Sequence, residues 1–197
     1  MPRALTEQEK QKQYRKILDK GKGVVLAQGV KKPSVDDISK AAGMTKGTFY
    51  QHFGSKEQFM YTLVMEMYQQ TFGLAKQLLQ NVENPQVAFR DFLTNLFFMP
   101  EMIFATKYHD EIQEIMESMA SQEESAHLEQ EENMYEQLLL LMGVDIEKVK
   151  PGVVHNYIHM VYAMMGSDLV MVDDLPETLD LLIENLIIYV FSGLNQG

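Results

Sequence analysis

The chain has 197 residues, 46% hydrophobic and 23% charged, the composition of a soluble globular protein with room for a small domain joined to a larger one. It has no cysteine, which excludes disulfides, thiolate chemistry and Cys-ligated zinc. No apolar run reaches the roughly 18 residues that a bilayer span needs. The polar start, Met1 to Lys12, lacks the apolar stretch of a secretory signal, so a cytoplasmic protein with no membrane partner is expected. The net charge of −11 is unevenly spread: residues 1–56 carry +7 and residues 57–197 carry −18. A polyanion would meet only the first segment.

The pattern is helical throughout, with Pro and Gly between periodic segments and no hairpin signals, so the fold class expected is all-α with about nine helices. The first helix is predicted over Thr6 to Gln28, ending at Gly29. Ser34 caps a second, with Asp36 and Asp37 in the favourable first turn and Asp37 at capping-box spacing. Gly43 supplies a turn, Thr45 caps a short third helix from Lys46 to His52, and Gly54 and Ser55 lead into a long fourth helix from Lys56 to about Gln80. Further helices are predicted from Pro85 to Met99, briefly from Pro100, as one or two over Tyr108 to Met142, from Pro151 to Val172, and from Leu175 onward.

The first 56 residues therefore read as a helix-turn-helix unit, leaving 57–197 as a larger helical domain. Phe49 and Phe53, four apart, face inward from the third helix. Lys46, Thr48, Tyr50, Gln51 and His52 are left outward, a set suited to double-stranded DNA: Gln51 can pair with adenine, Lys46 can reach guanine or phosphate, and the hydroxyls and imidazole can donate to phosphates. Lys56 opens the fourth helix, where the helix dipole disfavours a cation and a bound phosphate would account for it.

From Ile17 to Leu63, through SVDDISKAAGMTKGTFYQHF and the following GSKEQF, the chain resembles the DNA-binding domain of the tetracycline-repressor (TetR) family. The resemblance implies a homodimer that places one helix-turn-helix per subunit on a palindromic operator. It assigns DNA contacts to Thr45, Lys46, Thr48, Tyr50, Gln51, His52 and Lys56, and Ser34, at the start of the second helix, is a further DNA-contact candidate. It also implies that the C-terminal domain binds an effector and dimerises, giving a repressor that a small molecule releases. The chain departs from the family at Lys20-Gly21-Lys22-Gly23, where Ala and Leu are usual, and mid-helix glycines predict a less rigid first helix.

Thirteen of the fifteen methionines follow Glu57, mixed with aromatics, a composition that suits either an ordinary core or an adaptable pocket. The residues proposed for such a pocket are Phe97, Met102, Tyr108, Met134, Leu138, His159 and Tyr162, for a lipophilic or cationic effector. Leu179, Leu182, Ile183, Leu186, Ile187 and Val190 form the strongest apolar stripe and are proposed for dimerisation. His155 and His159 have the spacing of a metal pair, but packing against neighbours is the simpler expectation, and no metal is assigned. There is no P-loop, no GxSxG elbow and no acid/base pair in a catalytic context, so neither catalysis nor a cofactor is expected. The competing reading is a ligand-binding or scaffold protein of the same fold without specific DNA binding.

Overall fold

The structure, a computed structural model, describes residues 5–119, 124–168 and 170–192, with the side chains of 124–132 excepted. Ten α-helices and no strand occur among the described residues. The tenth helix, beyond the nine expected, arises because the acidic stretch folds as two. Packing divides the chain into two units, one of Met1–Met67 with Asp110–Ser121, the other of Tyr68–His109 with Gln122–Gly197.

The first unit contains α1 (Glu7–Gln28), α2 (Val35–Ala41), α3 (Lys46–Phe53), the first half of α4 (Lys56–Leu79) and nearly all of α7 (His109–Met119). Thr6 and Glu9 close a capping box at the start of α1, and Ser55 Oγ accepts the Gln58 N–H at the start of α4. The core is aromatic. Phe49, Phe53 and Phe59 meet with ring centroids 5.0–5.3 Å apart, and Tyr14 stacks on Phe53 at 4.9 Å.

The glycines of α1 do not interrupt it. A Cβ on Gly21 would lie 2.5 Å from Cζ of Phe59 and 3.0 Å from Ile38, so the missing side chain is the space that lets α4 and α2 approach α1. Gly23 is exposed with nothing near it and has no such role. The lower rigidity expected of α1 is thus offset at Gly21 by close packing.

The second unit contains the rest of α4, α5 (Pro85–Leu96), α6 (Pro100–Lys107), α8 (Glu124–Leu141), α9 (Pro151–Met165) and α10 (Leu175–Phe191), with a 3₁₀ turn at Val172–Asp174. The helix expected to reach Val172 stops at Met165. A Cβ added at Gly166 would lie 3.0 Å from the Thr106 carbonyl oxygen, so the chain after α9 lies directly on the end of α6. α10 packs against α5 and α9, and α9 against α6 and α8. Tyr157 Oη donates to the Leu182 carbonyl (2.8 Å), Tyr189 Oη accepts the Lys150 N–H (3.1 Å), and Arg90 pairs with Glu184. No helix among the described residues is long and apolar enough to cross a membrane.

Candidate nucleic-acid interface and internal cavity

The turn between α2 and α3 is built from backbone bonds. The Gly43 N–H donates to the Lys40 carbonyl (2.9 Å) and the Met44 N–H to the Ser39 carbonyl (2.8 Å), with Gly43 at φ 64°. Any L side chain there would be strained, so the glycine fixes the angle at which α3 leaves α2. Thr45 caps α3: its Oγ1 accepts the Thr48 N–H (3.1 Å) and lies 3.0 Å from Thr48 Oγ1. Phe49 and Phe53 anchor one side of α3 in the core. Lys46, Tyr50 and Gln51 are exposed on the other, Tyr50 at 49%.

Several residues assigned to DNA also have partners within the unit. Ser34 completes a capping box with Asp37, its Oγ accepting the Asp37 N–H (3.2 Å) while its own N–H donates to Asp37 Oδ2 (2.9 Å). The Ser34 hydroxyl holds the Asp37 carboxyl below its ordinary range. Asp36 pairs with Lys40 (2.7 Å) and more loosely with Lys46 (3.6 Å), and the Lys40 contact lowers its carboxyl likewise. His52 Nε2 is 3.3 Å from Gln13 Oε1, which ties α3 to α1.

Lys56 Nζ donates to the carbonyl of Lys31 (2.8 Å), so the cation at this helix start has a partner on the protein itself. An ammonium has two further donors, which leaves it able to reach a phosphate as well. The same loop is clasped from α7: the Lys31 N–H donates to Glu111 (3.1 Å) and Lys31 Nζ meets Glu114 (2.7 Å), a contact that raises the Lys31 pKa.

The second unit holds a small internal cavity of about 40 Å³, partly open to the outside. Its wall comes from five helices: Tyr68, Thr71 and Phe72 of α4, Phe89, Phe92 and Leu96 of α5, Met102 of α6, Tyr135, Leu138 and Leu139 of α8, and Val154, Ile158, His159 and Tyr162 of α9, closed by Met142. Of the residues proposed from sequence, Met102, Leu138, His159 and Tyr162 meet there. Phe97 is buried behind the wall, edge-on to Tyr162 at 5.4 Å, Tyr108 packs on Phe104, and Met134 lines an outer groove. Sequence reasoning missed the α4 and α5 contributions, which carry no local signal beyond being apolar.

Tyr162 Oη donates to Met102 Sδ (2.8 Å), and burial pushes its phenol far above the usual range, so it remains a protonated donor. His155 and His159 stack with ring centroids 4.2 Å apart. Tyr135 is edge-on to the first and Tyr162 to the second. Among the described residues no third His, Asp or Glu joins them as a possible metal site.

The apolar stripe proposed for dimerisation serves the chain's own core. Leu179, Ile183, Leu186, Ile187 and Val190 are buried and Leu182 half-buried, because α5 and α9 cover that face of α10. The apolar residues left exposed on α10 are Leu181 (61%) and Ile188 (65%), and on α9 Val153 and Met160.

The family model described as bacterial regulatory proteins, tetR family, matches residues 17–60, the span from α1 into α4. The transcriptional repressor DhaR of Mycobacterium sp. (strain GP1) is 34% identical over 71 residues, 36% of each chain. The chain spans less than half the length of the curated relatives it matches first. Similarity of fold extends further. A TetR-family regulator from Pectobacterium atrosepticum aligns with TM-score 0.65 at 18% identity, over 98% of this chain and 99% of that one. The regulator FadR from Bacillus subtilis, in complex with stearoyl-CoA, aligns with TM-score 0.56 at 18% identity, over 88% and 97%.

Proposed function

We propose, for a chain that belongs through its N-terminal domain to the tetR family of bacterial regulatory proteins, that it is a dimeric transcriptional repressor released from a palindromic operator by a small-molecule effector. The observation that carries this reading is the outer face of α3. Tyr50 and Gln51 stand exposed beside Lys46, on a helix whose other face is locked by Phe49 and Phe53, inside a segment of charge +7. In this reading Gln51 reads a base edge, and Tyr50, Lys46 and Lys56 grip phosphates. His52, Thr45, Thr48 and Ser34 act mainly by fixing α3 and α2, and their DNA contacts are secondary.

The partner subunit is a second copy, docked through Val153 and Met160 of α9 and Leu181 and Ile188 of α10. Four helices packed across such a two-fold axis form a bundle and would set two copies of α3 one DNA turn apart, about 34–36 Å. The effector occupies the cavity of the second unit. It acts only if it binds the DNA-free form more tightly than the bound form, and α4 is the chain segment shared by both units through which that preference reaches α3.

The test is fluorescence anisotropy on DNA from upstream of the protein's own gene, titrated with salt. One palindromic fragment should bind tightly and lose affinity steeply with salt, with a slope near −0.9 per phosphate neutralised. Gln51→Ala should weaken that fragment by about 1–3 kcal/mol while sparing non-specific DNA. Lys56→Ala should weaken all DNA alike. Equal, weak binding to every fragment would instead favour a ligand-binding protein without specific DNA recognition. Ile188→Asp should yield monomers by sedimentation and abolish tight operator binding; an unchanged dimer would overturn the assigned interface.

A further inference from the structure

Fifteen residues line the cavity, and none is an Asp, Glu, Lys or Arg. Its polar groups are the hydroxyls of Tyr68, Thr71, Tyr135 and Tyr162 and the imidazole of His159; the remainder of the wall is aromatic, aliphatic or thioether. Two of the lining residues, Phe72 and Leu138, also line the outer groove between α4 and α8, which contains Gly73, Lys76, Met134 and Gln137. The two spaces share that pair of side chains, and exposed Gly73 beside them in the groove carries no side chain.

We infer that the effector is an uncharged, lipophilic molecule, carrying a hydroxyl, carbonyl or aromatic amine that the phenols and His159 recognise, and that it passes between Phe72 and Leu138 from the groove. This deepens the proposed function and rests on its assignment of the cavity. A charged group moved from water into this wall would lose its hydration and find no Asp, Glu, Lys or Arg to pair with, only the imidazole of His159. The rings give a cation some compensation, but without a carboxylate it stays a minor fraction of the hydration lost. A neutral ligand loses little, and its apolar surface is buried against six aromatic rings, Tyr68, Phe72, Phe89, Phe92, Tyr135 and Tyr162. The Tyr162 phenol, kept protonated by its burial, donates to Met102 Sδ and would turn that one O–H to the polar group of the ligand.

Two fluorescent probes with one ring skeleton separate charge from shape: N-phenyl-1-naphthylamine, which is neutral, and 1-anilinonaphthalene-8-sulfonate, which is an anion. The chain has no tryptophan, so Phe92→Trp places a single donor in the wall, and quenching of its emission locates the probe. The neutral probe should quench it at micromolar concentration. The sulfonate, and tetraphenylphosphonium as a lipophilic cation, should bind there at least about 30-fold more weakly, since an unpaired charge is not compensated. Binding of either ion within about threefold of the neutral probe, or no binding of the neutral probe, overturns the inference.

Gly73→Phe tests the route. Nothing lies within 4 Å of the added Cβ, so the helix accommodates it while the groove fills. Association and dissociation of the neutral probe should both slow by about tenfold with little change in affinity, as expected when only the path is obstructed. Unchanged rates would place the route elsewhere. A neutral probe that binds in the cavity yet leaves the operator complex intact at saturation would sink the ligand-gated reading while leaving the neutral character of the site standing.

Discussion

Around α3, polar side chains have partners a few residues away, Thr45 with Thr48, Ser34 with Asp37 and Asp36 with Lys40, while His52 reaches across to Gln13 of α1. Around the cavity of the second unit the wall carries no acidic or basic side chain other than His159, and its members come from five helices distant in sequence. The first arrangement suits a surface that must present fixed donors to a polyanion in water. The second suits an interior that accepts a ligand by excluding water. The same kind of substitution should therefore have opposite consequences in the two places. Ile158→Lys puts an unpaired ammonium in the cavity wall and should cost about 3–5 kcal/mol in urea unfolding, or drive the lysine to titrate below neutrality. Gln51→Lys, on the exposed face of α3, should change stability by no more than about 0.5 kcal/mol while altering operator choice. Comparable losses at both positions would break the contrast.

A second pair of changes contrasts two neighbours on α1. Gly21→Ala drives a methyl into Phe59 and should destabilise the protein by about 1–3 kcal/mol, read as a lower midpoint in denaturant. Gly23→Ala meets nothing and should stabilise it by about 1 kcal/mol through helix propensity alone. From sequence the two glycines are equivalent breaks in a helical pattern. Only the path of α4, which brings Phe59 across Gly21, distinguishes them.

The same reasoning explains what was legible. Caps and turns are local, so Ser34, Gly43, Thr45 and Gly54 marked their helices correctly, and the inward pair Phe49 and Phe53 left one face of α3 free by simple periodicity. The cavity depends on which helices meet. Met102, Leu138, His159 and Tyr162 were found through composition, whereas Tyr68, Phe89 and Phe92 have no feature that separates them from ordinary core. The stripe proposed for dimerisation is buried within the chain for a related reason. The most apolar face of α10 is the one the chain itself covers, which leaves Leu181 and Ile188 as the exposed apolar residues of that helix. Charge also suggested a boundary at residue 56, yet the packed unit continues to Met67, because Phe59, Met60 and Leu63 of α4 are buried there.

Ser34 offers a sharper division between holding and touching DNA. Ser34→Ala removes the acceptor for the Asp37 N–H and should cost about 1 kcal/mol of stability. If Ser34 serves α2 alone, operator affinity measured well below the unfolding midpoint should fall only slightly. The pH dependence follows from the same box. The Asp37 carboxyl is held below its ordinary range by Ser34, so the folded state binds a proton there less readily than the unfolded chain. That contribution is present at neutral pH and is lost as pH falls through the lowered value. The wild type should therefore lose stability toward strongly acidic pH more steeply than Ser34→Ala, in which the hydroxyl that lowers Asp37 is gone.

The smallest expected effect comes from the one buried side-chain oxygen without a hydrogen bond among the described residues, Ser39 Oγ on α2. Its backbone carbonyl is needed, since it accepts the Met44 N–H that closes the turn, but its hydroxyl has been taken from water without a partner. Ser39→Ala keeps the carbonyl and the helix and removes only the unpaired group. It should raise stability by up to about 1 kcal/mol and leave operator affinity as it was, because the turn that aims α3 is made by the backbone. A loss of operator affinity in that variant would mean that the hydroxyl finds a partner only in the DNA complex. The setting of α3 would then differ between the free and bound states, and the local order seen around the reading helix would be only one of two arrangements.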